Sequence, residues 1–113
     1  MVAVDDARSV ASNLPRSYEA VVRGALRFRV GQIVYAAFDH DEEIMGFAFP
    51  KEEREALVTS DPEKFLMPGT SDLRYQWVEV RLAALDLDEM TELVQDAWRM
   101  VVPKKVAAER LGE

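Results

Sequence analysis

The sequence of 113 residues predicts an α+β fold, a two-layer sandwich in which helices cover one face of an antiparallel β-sheet. Helical patterns occur near both ends of the chain and in its middle, so the elements follow the order helix, several strands, helix, strand, helix. The strands between residues 19 and 49 are joined by short turns, which makes neighbouring strands antiparallel. Packing helices on one face of such a sheet buries the apolar side of both layers.

The first half of the chain contains one helix and four strands. Apolar residues recur at helical spacing from Val4 to Leu14, and Pro15 ends that helix. β-Branched and aromatic residues then predict strands at about 19–23, 26–30, 32–38 and 44–49. Gly31 separates two of these strands, where a glycine permits a tight turn, and "DHDEE" forms the next hairpin loop.

A second helix is expected directly after the strands. Pro50 suits a first helical turn, and the segment "TSDP" ends the helix near Ser60. Ala56 and Leu57 are expected to face inward. Residues 65–72 then form a short extended piece and a loop at Pro68-Gly69.

The segment "RYQWVEVRL", residues 74–82, alternates as a strand with two different faces. One face is apolar and is expected to join the core; it consists of Gln76, Val78, Val80 and Leu82. The other face mixes aromatic and charged side chains; it consists of Tyr75, Trp77, Glu79 and Arg81. A last helix begins near Asp86, places Trp98 on its apolar stripe and is interrupted at Pro103.

Composition restricts the class of protein. The length predicts a single domain over residues 1–113, and the absence of cysteine excludes disulfides and thiolate chemistry. No apolar run is long enough to span a membrane, so we expect a cytoplasmic protein without a membrane partner. Acids outnumber bases by 21 to 14, which disfavours tight binding to nucleic acid.

The sequence contains no pattern typical of catalysis. Its single histidine, His40, lies among acids in "DHDEE", which would suit a metal ligand or a general base. A solvated hairpin tip explains the same run and is the preferred interpretation, because residues at a tip rarely converge with other side chains. Glycine-rich phosphate loops are also absent. We therefore predict a protein that is not an enzyme, with no catalytic residue, metal or cofactor.

Arginine and aromatic residues form the candidate binding surface. Arg23, Arg27 and Arg29 share one strand parity, so they are expected on one face of the sheet. With the aromatic face of the later strand they could hold a nucleic-acid backbone and stack bases. The predicted nucleic-acid-binding residues are Arg23, Arg27, Arg29, Arg74, Tyr75, Trp77 and Arg81. The alternative is the ordinary solvated face of an antiparallel sheet.

The sequence also resembles the MmcQ/YjbR family of small bacterial proteins. Four segments carry this resemblance: "FRVGQIVYA" (28–36), "FPKEEREALVTSDPEKF" (49–65), "WVEVRL" (77–82) and "DAWRMVVPKK" (96–105). The resemblance extends over residues 10–110 and implies a compact α+β fold with an antiparallel sheet, similar to that of type III secretion chaperones. Members are often described as DNA-binding proteins, without an agreed active site or a generally assigned activity.

One departure from the family weakens the DNA-binding implication. Many members have a stretch rich in His and Lys before the tryptophan strand, but here "PGTSDLRYQW" contains only Arg74 as a base. Two hypotheses therefore follow for the function. The first is DNA binding, and the alternative is a non-catalytic protein-interaction or adaptor module. The sequence does not predict an oligomeric state.

Overall fold

The computed structural model describes residues 2–111, apart from the side chain of residue 111. In these residues the chain forms four helices: α1 Val4–Ala11, α2 Lys51–Ser60, α3 Leu87–Arg99 and α4 Lys104–Leu111. Its six strands are β1 Ser17–Val22, β2 Ala25–Val30, β3 Ile33–Phe38, β4 Ile44–Ala48, β5 Phe65–Leu66 and β6 Trp77–Arg81. This element order confirms the predicted α+β class. No helix in the described part of the chain has the length and apolarity needed to cross a membrane.

All six strands join one antiparallel sheet in the order β1-β2-β3-β4-β6-β5. The β1–β2 turn consists of Arg23 and Gly24, with φ values of 54° and 80°. Two successive positive φ values are typical of the two-residue turns that match strand twist. The prediction that Arg23 ends a strand is therefore wrong. The predicted "DHDEE" hairpin loop is confirmed between β3 and β4.

The helices α1 and α3 cover one face of the sheet. Helix α3 packs against β3 and β4, while α1 packs against α3 and β1. Trp98 of α3 is fully buried, and its indole N–H donates a hydrogen bond of 2.9 Å to the carbonyl oxygen of Pro15. The prediction that Trp98 belongs to the core is confirmed. Because the indole has a partner, its burial leaves no donor unsatisfied.

Helix α2 packs beside β5 and β6 and directs an arginine inward. Arg54 is only 7% exposed, whereas Ala56, which was expected to face inward, is exposed. Leu57 is partly buried against the core. A charged residue, Arg54, can point inward here because carbonyl oxygens at the neighbouring edge of the sheet accept hydrogen bonds from its side chain.

The carbonyl oxygens of residues 73, 75 and 77 accept hydrogen bonds from the guanidinium of Arg54. Its Nη1 donates to Tyr75 and Trp77 at 3.1 and 3.0 Å, and its Nη2 donates to Leu73 at 2.9 Å. Strand β5 ends at Leu66, opposite Glu79, so no strand continues beside the earlier part of β6. The guanidinium therefore satisfies one carbonyl oxygen at the start of β6 and two in the turn that precedes it.

We expect Arg54→Met to lower the free energy of unfolding by about 3 kcal/mol, because three carbonyl oxygens would lose the charged donor that binds them and an apolar side chain would take its place. Urea unfolding followed by circular dichroism measures this change. Glu55→Gln, on the exposed side of the same helix, is the matched control and should change stability by less than about 0.5 kcal/mol. An Arg54→Met chain with the urea midpoint of the unmodified protein would show that the sheet edge does not need this donor.

Candidate functional site

The face of the sheet opposite α1 and α3, here called the open face, carries two separated charges. Strand pairing places Arg27 opposite Ala37, Ala37 opposite Gly46, and Gly46 opposite Glu79. The side chains of the adjacent residues point the other way into the core, so these four lie in a row on the open face. Three strand spacings separate the strands of Arg27 and Glu79, about 14 Å in all. The two small residues between them leave a depression.

This depression is a groove of ≈ 840 Å³, here called the Trp77 groove. Its floor is made by small residues of β3 and β4: Ala37, Gly46 and Ala48. Its apolar and aromatic lining includes Ile33, Val34, Ile44, Tyr75, Trp77 and Met100. Its charged residues are Arg27, Asp39, Asp72 and Glu79. Concave sites with an apolar lining and a few polar groups are the usual form of binding pockets.

Trp77 occupies the space above Gly46. A β-carbon at position 46 would lie 2.5 Å from the indole Nε1 and 2.6 Å from Cζ2, far inside van der Waals contact. Gly46 has an ordinary negative φ, so the glycine is needed for this close approach and not for backbone freedom. Among residues 2–111 nothing accepts a hydrogen bond from the indole N–H, and the side chain is half-buried.

The acidic residues of the groove influence one another. Burial raises the pKa of Glu79 above its ordinary value of 4.5, and the nearby charges of Asp72 and Asp39 raise it further. One oxygen of Asp39 already accepts the backbone N–H groups of Glu43 and Ile44, at 2.8 and 3.1 Å. Within residues 2–111 no three acidic or histidine side chains are arranged to hold a metal ion.

The charges at the two sides of the groove have no partners in the described part of the chain. Arg27 and Glu79 form no ion pair and no side-chain hydrogen bond there. Strands β3 and β4 lie between the strands that carry them. Both groups are therefore available to a ligand in the groove.

The structure brings only some of the predicted nucleic-acid-binding residues together. Of the seven, Arg27, Tyr75 and Trp77 line the groove. Arg29 follows Arg27 on the open face, opposite Tyr18, and its buried Nε has no hydrogen-bond partner among the described residues 2–111. The remaining predicted residues lie elsewhere: Arg23 in the β1–β2 turn, Arg74 before β6, and Arg81 at the end of β6.

Arg74 and Tyr75 contact each other. The guanidinium carbon of Arg74 lies 4.8 Å from the ring centroid of Tyr75, and its Nη2 donates to the phenol oxygen at 2.8 Å. This pair therefore covers part of the ring that was expected to stack on a base. His40, the only histidine, is exposed in the β3–β4 loop and does not line the groove.

Sequence reasoning predicted only three of the residues that line the groove and missed the others, among them Gly46, Asp39 and Asp72. Gly46 gave a usable signal, because a glycine inside a strand often marks a close approach by another group. Asp39 and Asp72 gave none, since they lie in separate loops that only the sheet topology brings near Glu79.

We expect Gly46→Ala to displace the Trp77 indole, because the added methyl group would overlap it. Acrylamide quenching of tryptophan fluorescence should increase, while fully buried Trp98 contributes an unchanged background. Stability should fall by roughly 1–3 kcal/mol, as for other overpacked sites. Gly69→Ala is the control, since nothing lies within 4 Å of its β-carbon position. Equal quenching in both variants would contradict the close contact.

We expect Glu79→Gln to stabilise the protein near neutral pH. A raised folded-state pKa means that ionisation of Glu79 opposes folding, so its contribution is favourable below 4.5 and is lost as the pH rises through the folded pKa. The urea midpoint of Glu79→Gln should therefore exceed that of the unmodified protein at neutral pH, and the difference should vanish in acid. Glu92→Gln, exposed on α3, is the control. A difference that does not depend on pH would argue against this cause.

Comparison with known proteins gives a family and one solved relative. The family model YjbR matches residues 12–100. The crystal structure of the Deinococcus radiodurans protein DR2400, with the family-model domain DUF419, superposes with a TM-score of 0.79 at 27% identity. The match covers 99% of this chain and 89% of the other. No curated protein matches the chain significantly. The descriptions name no ligand or reaction, but the family match spans most of the sequence, and the chain belongs to the YjbR family.

Proposed function

We propose that the chain is a non-catalytic binding module that holds a segment of a partner protein in the Trp77 groove. The observation that carries this proposal is the composition of the groove. It combines a half-buried tryptophan with an unpaired indole N–H, an apolar rim, and charged groups at opposite sides. Aromatic anchors surrounded by polar groups are typical of surfaces that bind proteins.

The charge balance favours a protein partner over nucleic acid. Three carboxylates and a single arginine line the groove. A phosphate backbone in this position would approach Asp39, Asp72 and Glu79, and the whole chain carries a net charge of -7. Nucleic-acid sites instead concentrate positive charge along the path of the phosphates.

The residue types in the groove support binding over covalent catalysis. Its lining includes no serine, threonine, cysteine, lysine or histidine. Of the remaining nucleophile types, the lining contains carboxylates and Tyr75, and the Tyr75 hydroxyl already accepts a hydrogen bond from Arg74. His40 lies in the exposed β3–β4 loop and does not line the groove.

DNA binding is the second candidate function. Arg27 and Arg29 lie on the open face. Arg74 stacks on the exposed ring of Tyr75, the next residue along the chain. A single strand crossing this face would contact these arginines outside the acidic part of the groove. Its affinity would fall steeply with salt concentration.

One experiment separates the two candidates. A random peptide display library is panned in parallel against the unmodified protein and Trp77→Ala. In a separate assay, the unmodified protein is titrated into fluorescently labelled single- and double-stranded DNA, and binding is followed by anisotropy. We expect selected peptides to bind Trp77→Ala at least about tenfold more weakly, because buried tryptophan anchors contribute most to such interfaces. Tyr18→Ala, which removes an exposed aromatic ring outside the groove, should bind them normally.

The other outcomes are equally clear. Peptides that bind both variants equally, or no selected peptides at all, would contradict the proposal. Salt-sensitive DNA binding that is lost in Arg27→Gln would then establish the second candidate.

A further inference from the structure

We infer that the partner segment carries a basic and an acidic side chain, the basic one beside Glu79 and Trp77 and the acidic one beside Arg27. This inference rests on the proposed function and specifies its ligand. The geometry that supports it is the row Arg27–Ala37–Gly46–Glu79, which crosses four strands and has opposite charges at its ends.

Opposite charges on a protein surface normally gain from pairing with each other. Here β3 and β4 place the strands of Arg27 and Glu79 about 14 Å apart, and neither residue has an ionic partner within residues 2–111. A segment that lies across the groove with the opposite charge order would neutralise both. Such complementarity also fixes the direction in which the segment binds.

The Glu79 side of the groove suits a lysine or arginine side chain. Asp72 and Asp39 lie near enough to oppose ionisation of Glu79, so a cation there would relieve repulsion among three carboxylates. Trp77 lines the same groove, and an indole ring attracts a cation through its π-face. A long basic side chain can also pack its methylene groups on the apolar lining while its charge reaches the carboxylates.

The Arg27 side suits a carboxylate. Arg27 is the one cationic residue among those that line the groove. A guanidinium can bind both oxygens of a carboxylate through two parallel hydrogen bonds. A glutamate or aspartate of the segment would therefore give this end a directional contact that a neutral residue could not give.

Other ligands satisfy only half of the groove. A polyanion would match Arg27 but would meet the carboxylates on the far side. A purely basic segment would match Glu79 but would leave Arg27 without a partner. An extended peptide advances about 3.3 Å per residue, so side chains four positions apart lie about 13 Å apart, close to the separation of about 14 Å between the two strands.

The test uses the full chain and individual synthetic peptides taken from the display selection. We expect these peptides to share a basic and an acidic residue at a fixed spacing. Affinity measured by anisotropy should fall roughly tenfold in Glu79→Gln and in Arg27→Gln, the loss expected for one charge-assisted contact. Glu92→Gln on α3 is the matched control and should bind normally. Circular dichroism of each variant confirms that it is folded.

A charge exchange gives the decisive arm. The double variant Arg27→Glu with Glu79→Arg should reject the selected peptides and accept versions in which the basic and acidic residues are interchanged. A merely structural role for either residue would not produce this recovery.

The results also separate this inference from the proposed function. Peptides that require Trp77 but bind Glu79→Gln and Arg27→Gln normally would overturn the charge order and leave the binding module intact. Failure to select any Trp77-dependent peptide would overturn both. Binding that depends on Glu79 alone, with no acidic residue in the peptides, would overturn the role of Arg27.

Discussion

The hydrogen bonds of one buried arginine determine the shape of the candidate site. Arg54 links α2 to the start of β6, because its guanidinium donates hydrogen bonds to the carbonyl oxygens of residues 73, 75 and 77. A second link joins α2 to the same segment, since the backbone N–H of Lys51 donates to the side chain of Gln76 at 2.6 Å. These contacts from α2 therefore hold the start of β6 in place, even though β5 is short. Because Tyr75 and Trp77 belong to this segment, their positions depend on α2.

The groove exists because small residues interrupt the open face. Ala37, Gly46 and Ala48 lie in the middle of the sheet, where larger side chains would fill the depression. Trp77 uses part of that space, and it can do so because position 46 has no β-carbon. The same strands send Phe38, Met45 and Phe47 into the core. Alternation along β3 and β4 thus provides a tightly packed face for the helices and a hollow face for a ligand.

Periodicity predicted the parts of this fold that depend on local patterns. The alternation is confirmed within β6, with Val78 and Val80 buried and Trp77 and Glu79 on the other face. The prediction that Gln76 joins the core is wrong, because this residue precedes β6 and is exposed. Arg23 was predicted at the end of a strand but lies in a two-residue turn. The two positions differ only in their backbone dihedral angles, and the alternation of apolar and polar residues does not report these angles. The role of Arg54 depends on where β5 ends, and the convergence of Asp39 and Asp72 on Glu79 depends on strand order. These are long-range features that a local pattern cannot contain.

Glu79 connects the stability of the fold with its proposed use. Its raised pKa means that the ionised side chain destabilises the folded state. Because Glu79 lies on the open face, a neutral residue at this position would remove that cost and leave the core unchanged. A bound cationic group would remove this destabilisation, so binding energy would appear partly as increased stability of the protein. Arg27 contributes in another way, because a guanidinium can bind both oxygens of a carboxylate through two parallel hydrogen bonds. The two ends of the row would therefore contribute differently: Glu79 couples binding to folding, whereas Arg27 mainly orients the segment.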